Sequence, residues 1–186
     1  MKNSRGFSLI EVLVTIVLTT VGILGMVALQ TKSIQYTQDA VNRNTAIALT
    51  NELVGIMRAN RDELFNKKPP LEPMYSQLNE TSAFYKEDGS LDFLTSDCAT
   101  PAQTAKEQAG CWLEKVQALL PGAGDAEIVS NFLVCPSFEL DDGEPICASN
   151  YMGSTMAIQL AWRSKESVCG KDSDSDICTF STRVEL

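Results

Sequence analysis

The chain opens on a short polar leader, Met1 to Gly6, and then turns apolar with a single interruption at Glu11. Eighteen consecutive residues from Val12 to Leu29 carry no charge, and Phe7 to Ile10 extend the run toward the leader. About 20 residues rising about 1.5 Å each cross the hydrocarbon of a bilayer, so the segment is long enough to span it as a helix. Beyond Leu29 the apolar positions thin to one stripe, Ala46, Leu49, Leu53, Ile56, Met57 and Leu64. Steps of three and four mark one face of a helix, and no proline occurs before Pro69. The pattern therefore predicts one helix from Phe7 to about Asn66. Its first half faces lipid, its second is amphipathic, and Lys67-Lys68-Pro69-Pro70 stops it, because proline lacks the donor and disfavours helix in the residue before it.

Pro69 to Ala99 shows no period and reads as a long connection. Thr100-Pro101 has the form of an N-cap with proline at the first helical position, opening a helix to about Leu120. Trp112, Val116, Leu119 and Leu120 share its face, and Pro121-Gly122-Ala123-Gly124 ends it. Strand signals appear next in Ile128 to Val134, in the alternation Met156, Ile158, Leu160, Trp162, and in Cys178, Phe180, Thr182, Val184. With turn-rich connections such as Asp141-Asp142-Gly143, these predict a small antiparallel sheet. The fold class expected is α+β, a long helix whose outer half lies on that sheet, with both tryptophans in the core.

Glu11 is the informative exception. A carboxylate inside an apolar span costs on the order of 2.5 to 3.5 kcal/mol on insertion scales, which argues for a specific partner. A secretory signal would be cut after its apolar core at a small-x-small tripeptide, and Ala28-Leu29-Gln30 is a poor match. The visible boundary is at the other end, where Lys2 and Arg5 precede Gly6 and fit a cytoplasmic leader by the positive-inside rule.

The string Gly6-Phe7-Ser8-Leu9-Ile10-Glu11-Val12-Leu13-Val14 resembles the amino-terminal signature of type IV prepilins and of the pseudopilins of type II secretion. The resemblance implies cleavage after Gly6 by prepilin peptidase, methylation of the new terminal residue Phe7, and pairing of Glu11 with the freed amine of Phe7 in a neighbouring subunit. Gly25 to Gln30, Asn44 to Leu49, Met57 to Arg61, Ala118 to Gly122 and Ile158 to Arg163 resemble the PilV group of minor pilins. Likeness to that group implies a type IV pilin fold divided into a leader (1–6), a transmembrane and filament-core helix (7–30), its amphipathic continuation (31–66) and a periplasmic or extracellular head (67–186). It further implies inner-membrane storage, a pilus location at or near the tip, and a role in priming, twitching and adhesion. The implied partners are other minor pilins, the major pilin, the inner-membrane assembly platform and a tip adhesin. A type II secretion pseudopilin and a membrane-anchored periplasmic binding module are the alternatives. One departure is the absence of the proline that kinks this helix in many major pilins; Gly22 and Gly25 are its only weak points, and their spacing is not small-xxx-small.

Composition changes the picture in three places. The formal charge is -9, and without Lys2 and Arg5 it becomes -11, from 13 basic and 24 acidic residues, the wrong sign for a nucleic-acid binder. There are six cysteines, at 98, 111, 135, 147, 169 and 178, and no histidine. Delivered across the membrane, an even count reads as disulfides. The pairing is open from sequence; neighbours are expected, Cys98 with Cys111, Cys135 with Cys147, and Cys169 with Cys178. Each would close a loop of about ten residues, contributing roughly 2 to 3 kcal/mol in the chain-entropy picture. Finally, Asp172-Ser173-Asp174-Ser175-Asp176 alternates like a calcium loop. Ile177 stands where an EF-hand needs glycine and Arg183 where it needs glutamate, so a solvated acidic turn is expected and no metal. Without histidine there is no serine-histidine triad or HExxH site. No enzyme activity and no cofactor are expected.

Overall fold

A computed structural model describes residues 8–86, 89–91, 98–141, 144–148, 151–164 and 176–186. The chain forms two compact units, Met1–Gln38 and Asp39–Leu186. Helix α1 (Leu9–Ala59) runs from the first into the second.

In the second unit, the spacing read from the sequence becomes a buried face. Ala46, Leu49, Thr50, Leu53, Val54 and Met57 of α1 are buried; Ile56 is only partly so. They share one core with Ala109, Trp112, Leu113 and Val116 of α3 (Ala105–Leu119) and with Met156, Ile158, Leu160 and Trp162 of β6 (Thr155–Arg163). Removing each such large side chain from water stabilises the fold by about 1.5–3 kcal/mol. Polar contacts fix the rotation of α3 on α1. The Trp112 indole N–H donates to the Leu49 carbonyl at 2.8 Å, and the Asn60 amide donates to Gln108 Oε1 at 2.9 Å. Lys115 meets Glu52 at 2.7 Å, an exposed pair that adds little.

The expected helix end near Asn66 is corrected to Ala59. Asn60 leaves helical geometry, with φ -114° and ψ 42°. Its side-chain amide donates to the Ile56 carbonyl at 2.8 Å, the local competition with the backbone that makes Asn a poor helix-interior residue. A single turn, α2 (Arg61–Leu64), leads into β1 (Phe65–Lys67). Part of the predicted connection is also a strand. Residues Ser76–Leu78 form β2, antiparallel to β1, with Phe65 opposite Leu78, and both of these are buried. Gln77 sits there at φ 61°, a left-handed conformation unusual outside glycine.

Helix α3 starts four residues later than Thr100-Pro101 suggested, because its cap is Thr104. The Thr104 hydroxyl accepts from Glu107 N at 3.2 Å, and Glu107 Oε2 accepts from Thr104 N at 2.9 Å and Gln103 N at 2.8 Å. This reciprocal box satisfies donors that a helix start leaves open. The strand expected from Ile128 is displaced too. Residues Ala126–Val129 form one helical turn, α4, that seats Ile128 in the core, and β3 is Leu133–Pro136. Burial from a turn has here overridden β propensity.

The two strands read from alternation are present, although Ala157 and Ala161 on the other face of β6 are buried as well. Strand β6 lies between β3 and β7 (Ile177–Glu185), antiparallel to both, with Val134 opposite Ile158 and Leu160 opposite Phe180. Residues Leu140–Asp141 (β4) and Glu144–Pro145 (β5) make a separate short pair; Asp142 and Gly143 of the expected turn lie outside the described residues. Cys98 is joined to Cys111 and Cys135 to Cys147. The third expected pair includes Cys169, outside the described residues. A long apolar N-terminal helix, small antiparallel sheets and two disulfides match the α+β type IV pilin fold.

Candidate functional site

The site lies on the first part of α1. From Leu9 to Leu29 the helix is uninterrupted, and its large apolar side chains, among them Leu9, Leu13, Val17, Leu24 and Leu29, are all exposed. Twenty-one residues at about 1.5 Å each reach about 31 Å, close to the roughly 30 Å hydrocarbon thickness. By length and composition this helix can cross a membrane.

The polar side chains within it divide into two kinds. Thr15 donates to the Val12 carbonyl at 2.8 Å, Thr19 to Thr15 and Ile16 at 2.9 Å each, and Thr20 to Val17 at 2.8 Å. Each hydroxyl is thereby satisfied inside its own helix and needs nothing from lipid or a neighbour. Glu11 is different. It stands in the first turn of α1, where a negative charge suits the exposed peptide donors, yet its carboxylate has no side-chain partner among the described residues. Its predicted counterpart Phe7, and Gly6 before it, lie outside those residues. The threonine bonds were missed in the sequence, although hydroxyls three and four residues beyond backbone carbonyls of a helix are the signal for them.

Other polar groups of the second unit hold the fold together. Arg163, at the end of β6, donates to Glu127 Oε2 at 3.0 Å and to Asp176, and lies 3.7 Å from Asp125. Bonds to Glu127 and Asp176 raise its pKa further. Asp176 is the one described residue of the acidic run; Asp172 and Asp174 lie outside the described residues. Burial pushes the Tyr85 phenol well above its usual range, with Tyr151 adding to the effect; its hydroxyl donates to the Asn79 carbonyl at 2.7 Å. Trp112 and Trp162 are core side chains, 2% and 1% exposed. Among the described residues no three His, Cys, Asp or Glu side chains come together to hold a metal.

Residues 1–27 match the family model of the prokaryotic N-terminal methylation motif. The match covers the leader, Glu11 and most of the apolar run, and supports a type IV pilin-like prepilin, of a pilus or a pseudopilus. The motif implies processing by prepilin peptidase and assembly with other pilins; the apolar helix fits a membrane-anchored subunit. No curated protein and no solved structure gives a match to the chain.

Proposed function

We propose that the protein is a minor type IV pilin of the PilV group, a structural subunit that works by assembly and carries out no catalysis. Cleavage after Gly6 frees the amine of Phe7, which is then methylated, and Glu11 of one subunit pairs with that amine in the next. Residues 7–30 serve as membrane anchor and then filament core, 31–66 continue the helix, and 67–186 form the head, periplasmic before assembly and extracellular after it. In a priming complex at the tip, with other minor pilins, the major pilin and an adhesin, the subunit supports pilus assembly, twitching and adhesion.

The observation that carries this reading is the methylation motif coinciding, in a lipid-length helix, with a carboxylate that has no side-chain partner among the described residues. A charge that costs on the order of 2.5 to 3.5 kcal/mol in lipid has its cost offset once a fixed cation lies beside it. Intact-mass measurement on membrane-extracted protein tests the first step: a chain lacking Met1 to Gly6 and carrying one extra methyl group is expected. A full-length mass in cells with active prepilin peptidase would leave the membrane-anchored binding module instead. Deletion separates pilus from pseudopilus, since loss of twitching and surface filaments with intact exoprotein secretion fits only the pilin. Glu11→Gln is expected to insert in the membrane but to enter filaments at least about tenfold less, the size expected for about 1.4 kcal/mol of lost pairing; wild-type incorporation would sink the pairing.

A further inference from the structure

The two edges of the β3-β6-β7 sheet end differently. In an antiparallel pair, opposite residues alternate between those that exchange N–H and C=O bonds and those whose backbone groups point away. Ser137 N–H donates to the Thr155 carbonyl at 3.1 Å, so the odd-numbered residues of β3 bond to β6, and Val134 and Pro136 point outward. Both outward positions are used. Val134 N–H donates to the Gly89 carbonyl at 3.0 Å, the Pro136 carbonyl accepts from Ala148 N–H at 2.7 Å, and proline has no donor to leave open. Cover by other chain segments and an edge proline are ways in which native sheets protect an edge.

The β7 edge is open. Leu186 N–H donates to the Ser154 carbonyl at 3.1 Å and Ser164 N–H to the Asp176 carbonyl at 2.7 Å, both in the register that sets Met156 opposite Val184 and Leu160 opposite Phe180. Even-numbered residues of β7 therefore bond to β6, and odd-numbered ones point away. Glu185 is capped, its carbonyl accepting from Arg58 of α1 at 3.1 Å. The outward N–H and C=O of Thr179, Ser181 and Arg183 meet no partner among the described residues. Strand β5 lies near β7 but pairs with β4 alone. Thr179 and Arg183 are exposed and Ser181 is half-buried, so each offers a donor and an acceptor, about 6.8 Å apart along the strand. The Arg183 guanidinium has no acidic partner among the described residues either.

A row of this kind matches an extended backbone. The β7 strand of a second copy answers it poorly. Antiparallel pairing along the whole open stretch sets Ser181 against Ser181 and Arg183 against Thr179 of the second copy, which leaves both arginines without a counter-charge. Sliding the copies until Arg183 meets Glu185 moves Thr179 and Ser181 past the end of the other β7. We infer that the Thr179, Ser181 and Arg183 edge of β7 takes an extended strand from a different protein, antiparallel to β7, with a carboxylate opposite Arg183. Backbone bonds give that strand its place, and the Arg183 charge sets its register. This goes beyond the pilin reading and holds equally for a pilus subunit, a pseudopilus subunit or an anchored module.

The test uses the full chain in detergent micelles and the probe peptide acetyl-Val-Glu-Val-Thr-Val-Thr-Val-amide, whose glutamate falls opposite Arg183, with amide hydrogen exchange read residue by residue by nuclear magnetic resonance. Without peptide, the Thr179, Ser181 and Arg183 amides should exchange about tenfold or more faster than those of Phe180 and Thr182. The peptide should slow those three amides about fivefold or more, the size that one net hydrogen bond gives. It should also bind about threefold or more tighter than a version with lysine for glutamate, an order that Arg183→Glu should reverse. Methylating the amide nitrogens of both peptide threonines should abolish the slowing. Ser181→Pro should abolish it too, with Phe180 and Thr182 still protected as the sign of an intact sheet. Protection without peptide that grows with protein concentration would assign the edge to a second copy, and protection independent of concentration would mean that the chain covers it. Either result overturns the proposal, as does no slowing at about 1 mM peptide or slowing that survives amide methylation. None of these readouts depends on whether the chain is cleaved after Gly6.

Discussion

Trp112→Phe tests the joint between α1 and α3 directly. The indole is 2% exposed and donates to the Leu49 carbonyl at 2.8 Å. Phenylalanine removes that bond, worth about 1 kcal/mol net. The Leu49 carbonyl keeps its place in the helix ladder, so no orphaned acceptor adds to the loss. The missing ring atoms leave a gap of about 40 Å³, which at about 24 cal/mol per Å³ adds roughly 1 kcal/mol. The expected destabilisation is therefore about 2 kcal/mol, or about 4–8 °C in Tm for a unit of this size. Urea unfolding of residues 39–186 with disulfides intact, tracked by far-ultraviolet circular dichroism, measures it as a lower midpoint at unchanged slope. Trp162→Phe is the internal control. Trp162 is 1% exposed, but its indole nitrogen has no hydrogen-bond partner among the described residues, so Phe removes an unpaired buried donor whose cost offsets the gap, and the loss should be no more than roughly 1 kcal/mol. If the two variants lose the same stability, the Trp112 bond contributes nothing and does not orient α3 on α1.

Two further outcomes are expected from local geometry. Backbone donors at Thr104 and Gln103 hold the Glu107 carboxyl below its usual range, so its contribution to stability is present above the unfolded value of about 4.3 and is lost as pH falls through the folded one. Glu107→Gln should accordingly flatten the stability-against-pH curve below about pH 4.3, and an unchanged curve would mean that the capping box contributes nothing there. Gln77→Gly should raise stability by up to about 1 kcal/mol, since glycine alone adopts a positive φ without a Cβ penalty; Gln77→Ala, which keeps the Cβ, should give no such gain in the same melts.

What could be read in the sequence was what repeats. Ala46, Leu49, Leu53 and Met57 fall on one face because helical spacing places them there, and Met156, Ile158, Leu160 and Trp162 alternate because a pleated strand requires it. Glu11 stood out because charge is rare in an apolar run. The misplaced elements depend on contacts distant in sequence or on single residues. Asn60 ends α1 partly through Gln108, and Phe65 becomes a strand residue by pairing with Leu78. Ile128 has strand propensity but reaches the core from a helical turn. The capping box is the exception, since Thr104-x-x-Glu107 was legible as a helix start and Thr100-Pro101 drew attention from it. At the candidate site, the carboxylate was legible because it interrupts an apolar run, and the threonine hydrogen bonds were not.

The threonine bonds inside the membrane segment also bear on how a subunit changes surroundings. A hydroxyl tied to a carbonyl one turn earlier travels with its helix, whether the neighbours are acyl chains or other proteins. On the proposed function, passage from bilayer to polymer would leave the hydrogen bonding of Thr15, Thr19 and Thr20 untouched and concentrate the electrostatic change on Glu11. On that reading the span would be indifferent to its solvent along most of its length and selective at a single point.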